Sequence, residues 1–145
     1  MKASSGLRAH MMATGSFKAG MDGSYLKIYS GVPPSSPDNA VPGTATLLCV
    51  VTVDGGATGV TFETTTTAGM LLKAAGETWE GTNGATGTAT WFRLAPPADG
   101  GESSTSALRV QGTVAQAGAD LNITNPDLVT GAPQAVDYFS VLLPV

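Results

Sequence analysis

The sequence predicts an all-β fold: a single β-sandwich, jelly-roll-like, of about eight strands with an N-terminal arm or short helix. Three observations predict it. Short runs of alternating or continuous apolar residues recur along the chain, and Gly, Pro, Asn and Asp cluster between them. No strand–helix alternation of the kind that builds a parallel sheet is visible. The 145 residues amount to one domain with one core.

Residues 1–23 stand apart as an N-terminal arm, and residues 24–145 form the sandwich domain. The arm holds four of the five methionines, Met1, Met11, Met12 and Met21, with Leu7 and Phe17. Leu7, His10 and Met11 share one face of a short helix, and Gly15 and Gly20 keep it short. Two readings stay open: a helix that plugs one end of the domain, or an arm that docks on a neighbouring subunit. Methionine suits the second because it is flexible and polarisable.

Tyr25 to Ser30 alternates, Leu26 and Ile28 against Tyr25, Lys27 and Tyr29, as in a half-buried strand. The loop 32–43 is long and carries Pro33, Pro34, Pro37 and Pro42. Its plain chemistry points to contact with a partner rather than catalysis. Thr46 to Val53 is an almost unbroken apolar run, expected as a strand buried on both faces. Val60, Phe62 and Thr64 share one face of a further strand, the Thr64–Thr67 run reads as its edge, and Met70 to Ala74 reads as a short strand.

Ala85 to Leu94 is expected to be the central strand. Thr86, Thr88, Thr90, Phe92 and Leu94 point one way, and Ala85, Gly87, Ala89, Trp91 and Arg93 the other. The small residues leave room for a close neighbour such as the Trp79 ring. Ser106 to Val114 is another strand, with a Gly bulge expected at Gly112. Leu121 and Ile123 face inward on a short one. Ala135 to Leu143 closes the chain as one strand, with Asp137, Phe139, Val141 and Leu143 on one face.

Charged residues are only 12% of the chain, against about 25% in an average soluble domain. Such a surface suits a protein packed against neighbours, or a small polar β-domain with uncharged loops. The net charge of −4 and scattered Lys and Arg argue against nucleic acid as a partner. No run reaches the ~18 apolar residues of a membrane span, and no signal-peptide apolar stretch follows Lys2.

No catalytic, metal or cofactor site is expected. His10 is the lone histidine and Cys49 the lone cysteine, so neither a zinc site nor a cysteine–histidine pair is supplied. Cys49 lies in an apolar run and reads as a small buried hydrophobe. The Asp-Gly pairs lack calcium-loop spacing and read as turns. Gly81, Gly84 and Gly87 precede a strand, whereas phosphate loops open a helix. Glu77 and Glu80 form an acidic pair with nothing to fix their separation. Trp91 reads as core, and Trp79, flanked by those acids, reads as partly exposed at a binding surface. The expected interface residues are Leu7, His10, Met11, Met12, Phe17, Met21, Pro33, Pro34 and Trp79.

Three segments carry a resemblance: Leu26 to Gly31 with the loop after it, Ala85 to Leu94, and Gly118 to Leu121 followed by the terminal strand. Together they resemble small virion proteins of tailed bacteriophages, similar in kind to capsid decoration (cement) proteins. The resemblance implies a non-enzymatic structural protein on the virion capsid surface, assembled in the bacterial host cytoplasm. It implies the major capsid protein and copies of itself, as a homotrimer, as partners, with no nucleic acid, membrane or cofactor. The alternative is a minor tail or fibre protein whose sandwich binds host glycan through exposed aromatics. The motifs describe a scaffold, so no functional residue comes with them.

Overall fold

The computed structural model of the chain describes residues 1–142. In chain order the elements are β1 (Lys2–Ala3), α1 (Ser5–Ala13), α2 (Phe17–Met21), β2 (Tyr25–Tyr29), β3 (Leu47–Val53), β4 (Met70–Leu72) and β5 (Trp79–Thr82), followed by β6 (Gly87–Thr88), β7 (Trp91–Ala95), β8 (Val110–Ala115), β9 (Leu121–Asn122), β10 (Asp127–Leu128), β11 (Pro133–Val136) and β12 (Ser140–Leu142). The fold is all-β with a short helical segment near its N-terminus. An eight-stranded sheet runs β1-β8-β7-β2-β3-β5-β11, with β9 lying parallel on β8 and the other neighbours antiparallel. Two ribbons, β4–β12 and β6–β10, complete it.

Cross-strand partners share a face, so the register assigns each side of the sheet. One face takes Val110, Leu94, Leu26 and Val51 across four strands, then Phe92, Ile28 and Cys49 in the next row. Trp79 and Val136 continue it on β5 and β11. All nine side chains are buried. This face packs on a second, thinner layer. Phe92 meets Phe139 edge-on with ring centroids 5.6 Å apart, and Trp79 meets Phe62 edge-on at 5.6 Å. Leu7 of α1 and Met21 of α2 enter the same core.

Residues 1–23 are therefore not a separate arm. β1 is a strand of the main sheet, Leu7 and Met21 have no exposure, and Phe17 stacks edge-on against Phe62. Buried Ser4 caps α1, its Oγ accepting from Leu7 N and from Arg109 N while donating to Ala107 O. These bonds tie the helical segment to the base of β8.

Three expectations are corrected in detail. The run 85–94 is two strands, β6 and β7, because Ala89 N bonds Pro126 O and leaves the ladder. Its small residue Gly87 faces Leu48, whose Cδ2 lies 3.0 Å from where a Cβ would be, and not Trp79. The terminal strand is likewise split. Val136 and Phe139 are both buried, yet an odd spacing puts them on opposite faces of any continuous strand. The chain breaks at 137–139 and passes from the main sheet to the β4 ribbon; the expected Leu143 lies outside the described residues. Gly112 is no bulge: it pairs in register with Phe92, where a Cβ would come within 2.6 Å of the Phe92 ring. The strand β5 has little apolar alternation, and the sequence reading missed it.

Candidate functional site

The second face of the main sheet is polar and also buried. Lys2, Gln111, Arg93 and Lys27 form one cross-strand row over β1, β8, β7 and β2. Arg93 and Gln111 are 1% and 4% exposed, and Arg109, just before β8, is 2% exposed. Buried cations need acceptors, since isolated charge away from water is costly. The proline-rich loop supplies them. Gln111 Nε2 donates to Pro34 O (2.7 Å), Arg109 Nη1 to Pro37 O (3.1 Å) and Arg93 Nη2 to Asn39 O (3.1 Å), and at the exposed edge Lys2 Nζ donates to Ser35 O (2.9 Å). Proline brings a carbonyl acceptor and no competing N–H, so such a loop suits a face made of donors.

The loop 96–106 closes the other side of this roof. Arg109 grips Asp99 with two bonds, Nε to Oδ2 at 2.5 Å and Nη2 to Oδ1 at 2.6 Å. Burial works to raise the Asp99 carboxyl, but the bonds from Arg109 and Gly101 N outweigh it and hold it below its ordinary value. Lys27 Nζ donates to Asp99 O, and Val41 N to Gly101 O joins the two loops. Beneath them Tyr29 and Trp91 stack at 4.3 Å, with the Arg93 guanidinium over the Trp91 ring at 5.7 Å. Asp38 accepts from Ser5 N and Ser5 Oγ, fastening the loop to α1; these bonds lower the Asp38 carboxyl.

The candidate catalytic groups are engaged by the fold or isolated. Burial pushes the Cys49 thiol up to about 11, which removes thiolate chemistry near neutral pH. Glu77 accepts from Thr61 N, Thr61 Oγ1 and Trp79 Nε1. Burial favours its neutral form, but those bonds and nearby Lys73 prevail and lower it. His10 is half-buried on α1, and its Nε2 has no hydrogen-bond partner. Among the described residues no group of three or more His, Cys, Asp or Glu could hold a metal ion. Among the described residues no helix is long and apolar enough to cross a membrane.

The expected interface residues divide. Leu7, Met21, Pro34 and Trp79 are buried in this chain, which corrects the expectation of surface contact for them. Trp79 is 1% exposed because its indole N–H is satisfied by Glu77 and its ring is packed among Phe62 and Phe139. Pro33 is exposed at the tip of the roof, next to Val32. Met12 is 88% exposed on α1. Met11 and Phe17 line a cleft of about 340 Å³ with Met1, Ala3, Val141 and Leu142, rimmed by Lys2 and Arg8. This cleft is the structure's candidate contact surface. It lies between α1, the β1 edge of the main sheet and β12. Sequence reasoning found its helical wall but not its strand wall. The odd spacing of Val136 and Phe139 is the signal that could have exposed the break and freed β12 to line it.

No family model, curated protein or solved structure matches the chain.

Proposed function

We propose that the chain is a structural virion protein, a capsid decoration or cement protein that binds the outer surface of a phage head and stabilises contacts between capsomers. It acts there in several copies, as a homotrimer, after assembly in the bacterial host cytoplasm. The observation that carries this reading is the division of its side chains. Buried cations and carboxylates hold the chain to itself, while large apolar side chains stand in solvent: Met12 at 88% and Val32 at 77% exposure. A contact protein needs that combination, a rigid body and uncharged places to stick. The low charge content and the resemblance to phage virion proteins support the same reading.

The tail or fibre alternative rests on flat aromatics that stack on sugar rings. Trp79 and Trp91 are 1% and 0% exposed, and among the large hydrophobic side chains left exposed only Tyr138 is aromatic. That leaves the glycan-binding reading without its platform.

The test is the copy number of this chain per major capsid protein in purified particles, measured by quantitative mass spectrometry. A ratio of the same order as the shell protein is expected. A handful of copies per particle would move the chain to the tail, and its absence from particles would end the virion reading.

A further inference from the structure

The cleft between α1, β1 and β12 has an unbalanced chemistry. Its floor is apolar, with Met11, Phe17 and Val141, and its only charged lining residues are the cations Lys2 and Arg8. Among the described residues neither cation forms an ion pair, and the carboxylate that Arg8 acts on, at longer range through Ser5, is Asp38. The ion pairs there are Lys18–Asp22, Arg109–Asp99 and the Met1 amino group with Asp120. Lys2 donates to a backbone carbonyl and Arg8 to the Ser5 hydroxyl. At the mouth Leu142 is 61% exposed and Met1 42% exposed. An apolar floor with a cationic rim that forms no ion pair among the described residues, on a chain of net charge −4, calls for an apolar group carried next to a carboxylate.

The chain displays such a group itself. Tyr138, in the break between β11 and β12, is 60% exposed. Beside it Asp137 is exposed and forms no ion pair among the described residues. Of the other exposed large hydrophobic side chains outside the cleft lining, Met12, Val32, Leu47 and Val129, none is aromatic. Aromatic side chains that fill a partner's apolar cavity are the usual energetic anchors of interfaces. The cleft volume falls at the lower end of the range, about 300–1,000 Å³, typical of pockets that enclose a small ligand.

We infer that the cleft takes the Asp137–Tyr138 corner of a second copy of this chain, the ring entering between Met11, Phe17 and Leu142 and the carboxylate meeting Arg8 and Lys2. The contact joins two different patches. It therefore gives a reciprocal dimer, a closed ring or an open filament, according to the angle between them. The inference deepens the proposed function, since copies of this chain are among its expected partners. It rests on that reading only for its biological setting.

The experiment is sedimentation equilibrium of the purified full chain, with no particles present, at concentrations up to about 1 mM, where a weak contact of ~4 kcal/mol would still register. Concentration-dependent association is expected. Tyr138→Ala should weaken it by roughly 30-fold, the effect of losing a buried aromatic anchor. Arg8→Glu and Asp137→Arg should each weaken it, and the double exchange should restore it. Circular dichroism of each variant reports whether it is folded. A wild-type chain that stays monomeric throughout overturns the inference. So does association that is indifferent to Tyr138→Ala, or single charge reversals that the double exchange fails to rescue. A monomeric chain that still decorates particles would overturn this contact and leave the proposed function standing. A self-associating chain absent from particles would do the reverse.

Discussion

The two faces of the main sheet are both buried, and they are held by opposite physics. On one, Phe92, Leu94, Leu26, Ile28 and Val51 share one hydrophobic core, Phe92 edge-on against Phe139 of the second layer. That attraction is non-directional and tolerates exchange of one apolar side chain for another of similar size. On the other, Arg93, Arg109, Lys27 and Gln111 each donate to named oxygens of two loops, although Arg93 Nε and Nη1 have no hydrogen-bond partner among the described residues. Those bonds are directional, and removing one partner leaves a buried donor with nothing. A loop rich in proline and serine, which reads as a partner-contact segment, is thereby fixed as the cover of a buried polar face, with Pro34 and Pro37 buried and Val32 and Pro33 left exposed. The difference teaches that the course of a loop can be dictated by the donors beneath it rather than by its own hydrophobicity.

The largest expected effect breaks the polar face at its ion pair. Asp99→Ala leaves the Arg109 guanidinium buried and unpaired, and should cost about 3–5 kcal/mol in urea unfolding. Asp99→Ala combined with Arg109→Met should recover most of that loss, because an apolar side chain needs no acceptor. An equally large loss in the double variant would mean that the ion pair is not what binds the roof.

Acid should act on the same bonds. Asp99 is held below its ordinary carboxyl value of 3.8, so its contribution is complete above that pH and is lost as pH falls through the lower folded value. Glu77, which anchors Trp79 on the apolar side, is lowered as well and adds to the effect. Stability should be flat from neutral pH down to about 4.5 and fall below it. Asp99→Asn, measured by thermal melts across that range, should flatten the acid limb.

A smaller effect tests the apolar face. Gly112→Ala would put a Cβ within 2.6 Å of the Phe92 ring and 2.8 Å of Asp120 Cβ. Overpacking of that kind should cost about 1–3 kcal/mol. No measurable change would mean that the sheet yields there, contrary to its tight register. Smallest of all, Met12→Ser lies on neither face and should shift stability by less than about 0.5 kcal/mol, while weakening binding to phage heads.

Much of the apolar face was legible in the sequence. Leu26 and Ile28 alternate with polar residues in Tyr25–Tyr29, and Phe92 and Leu94 were correctly set opposite Trp91 and Arg93. Alternation encodes which side a residue takes, and pairing in a sheet preserves it. What alternation does not encode is whether the second side meets water. Trp91 reads as core, but the pattern does not say what covers Arg93 and Gln111 on the same side of the sheet; distant loop carbonyls do. The signal available was an arginine in a strand otherwise wholly apolar, together with a long loop whose four prolines bring carbonyl acceptors and no N–H. The cleft was half legible. Met11 and Phe17 were named from their composition, but β12 could be placed only once the break after Val136 was known.

The central claim is that the loop 31–43 is a fixed roof over the polar face, held by the donors beneath it. Amide hydrogen exchange of the isolated chain tests it most directly, because Val41 N bonds Gly101 O and Asn39 N bonds Ser36 O across that roof. The account predicts slow exchange at Val41 and Asn39 in the wild type. It predicts fast exchange at both in Asp99→Ala, while the amides of β2 and β7 stay protected. Exchange at Val41 and Asn39 as fast as in an unfolded chain, already in the wild type, would contradict it.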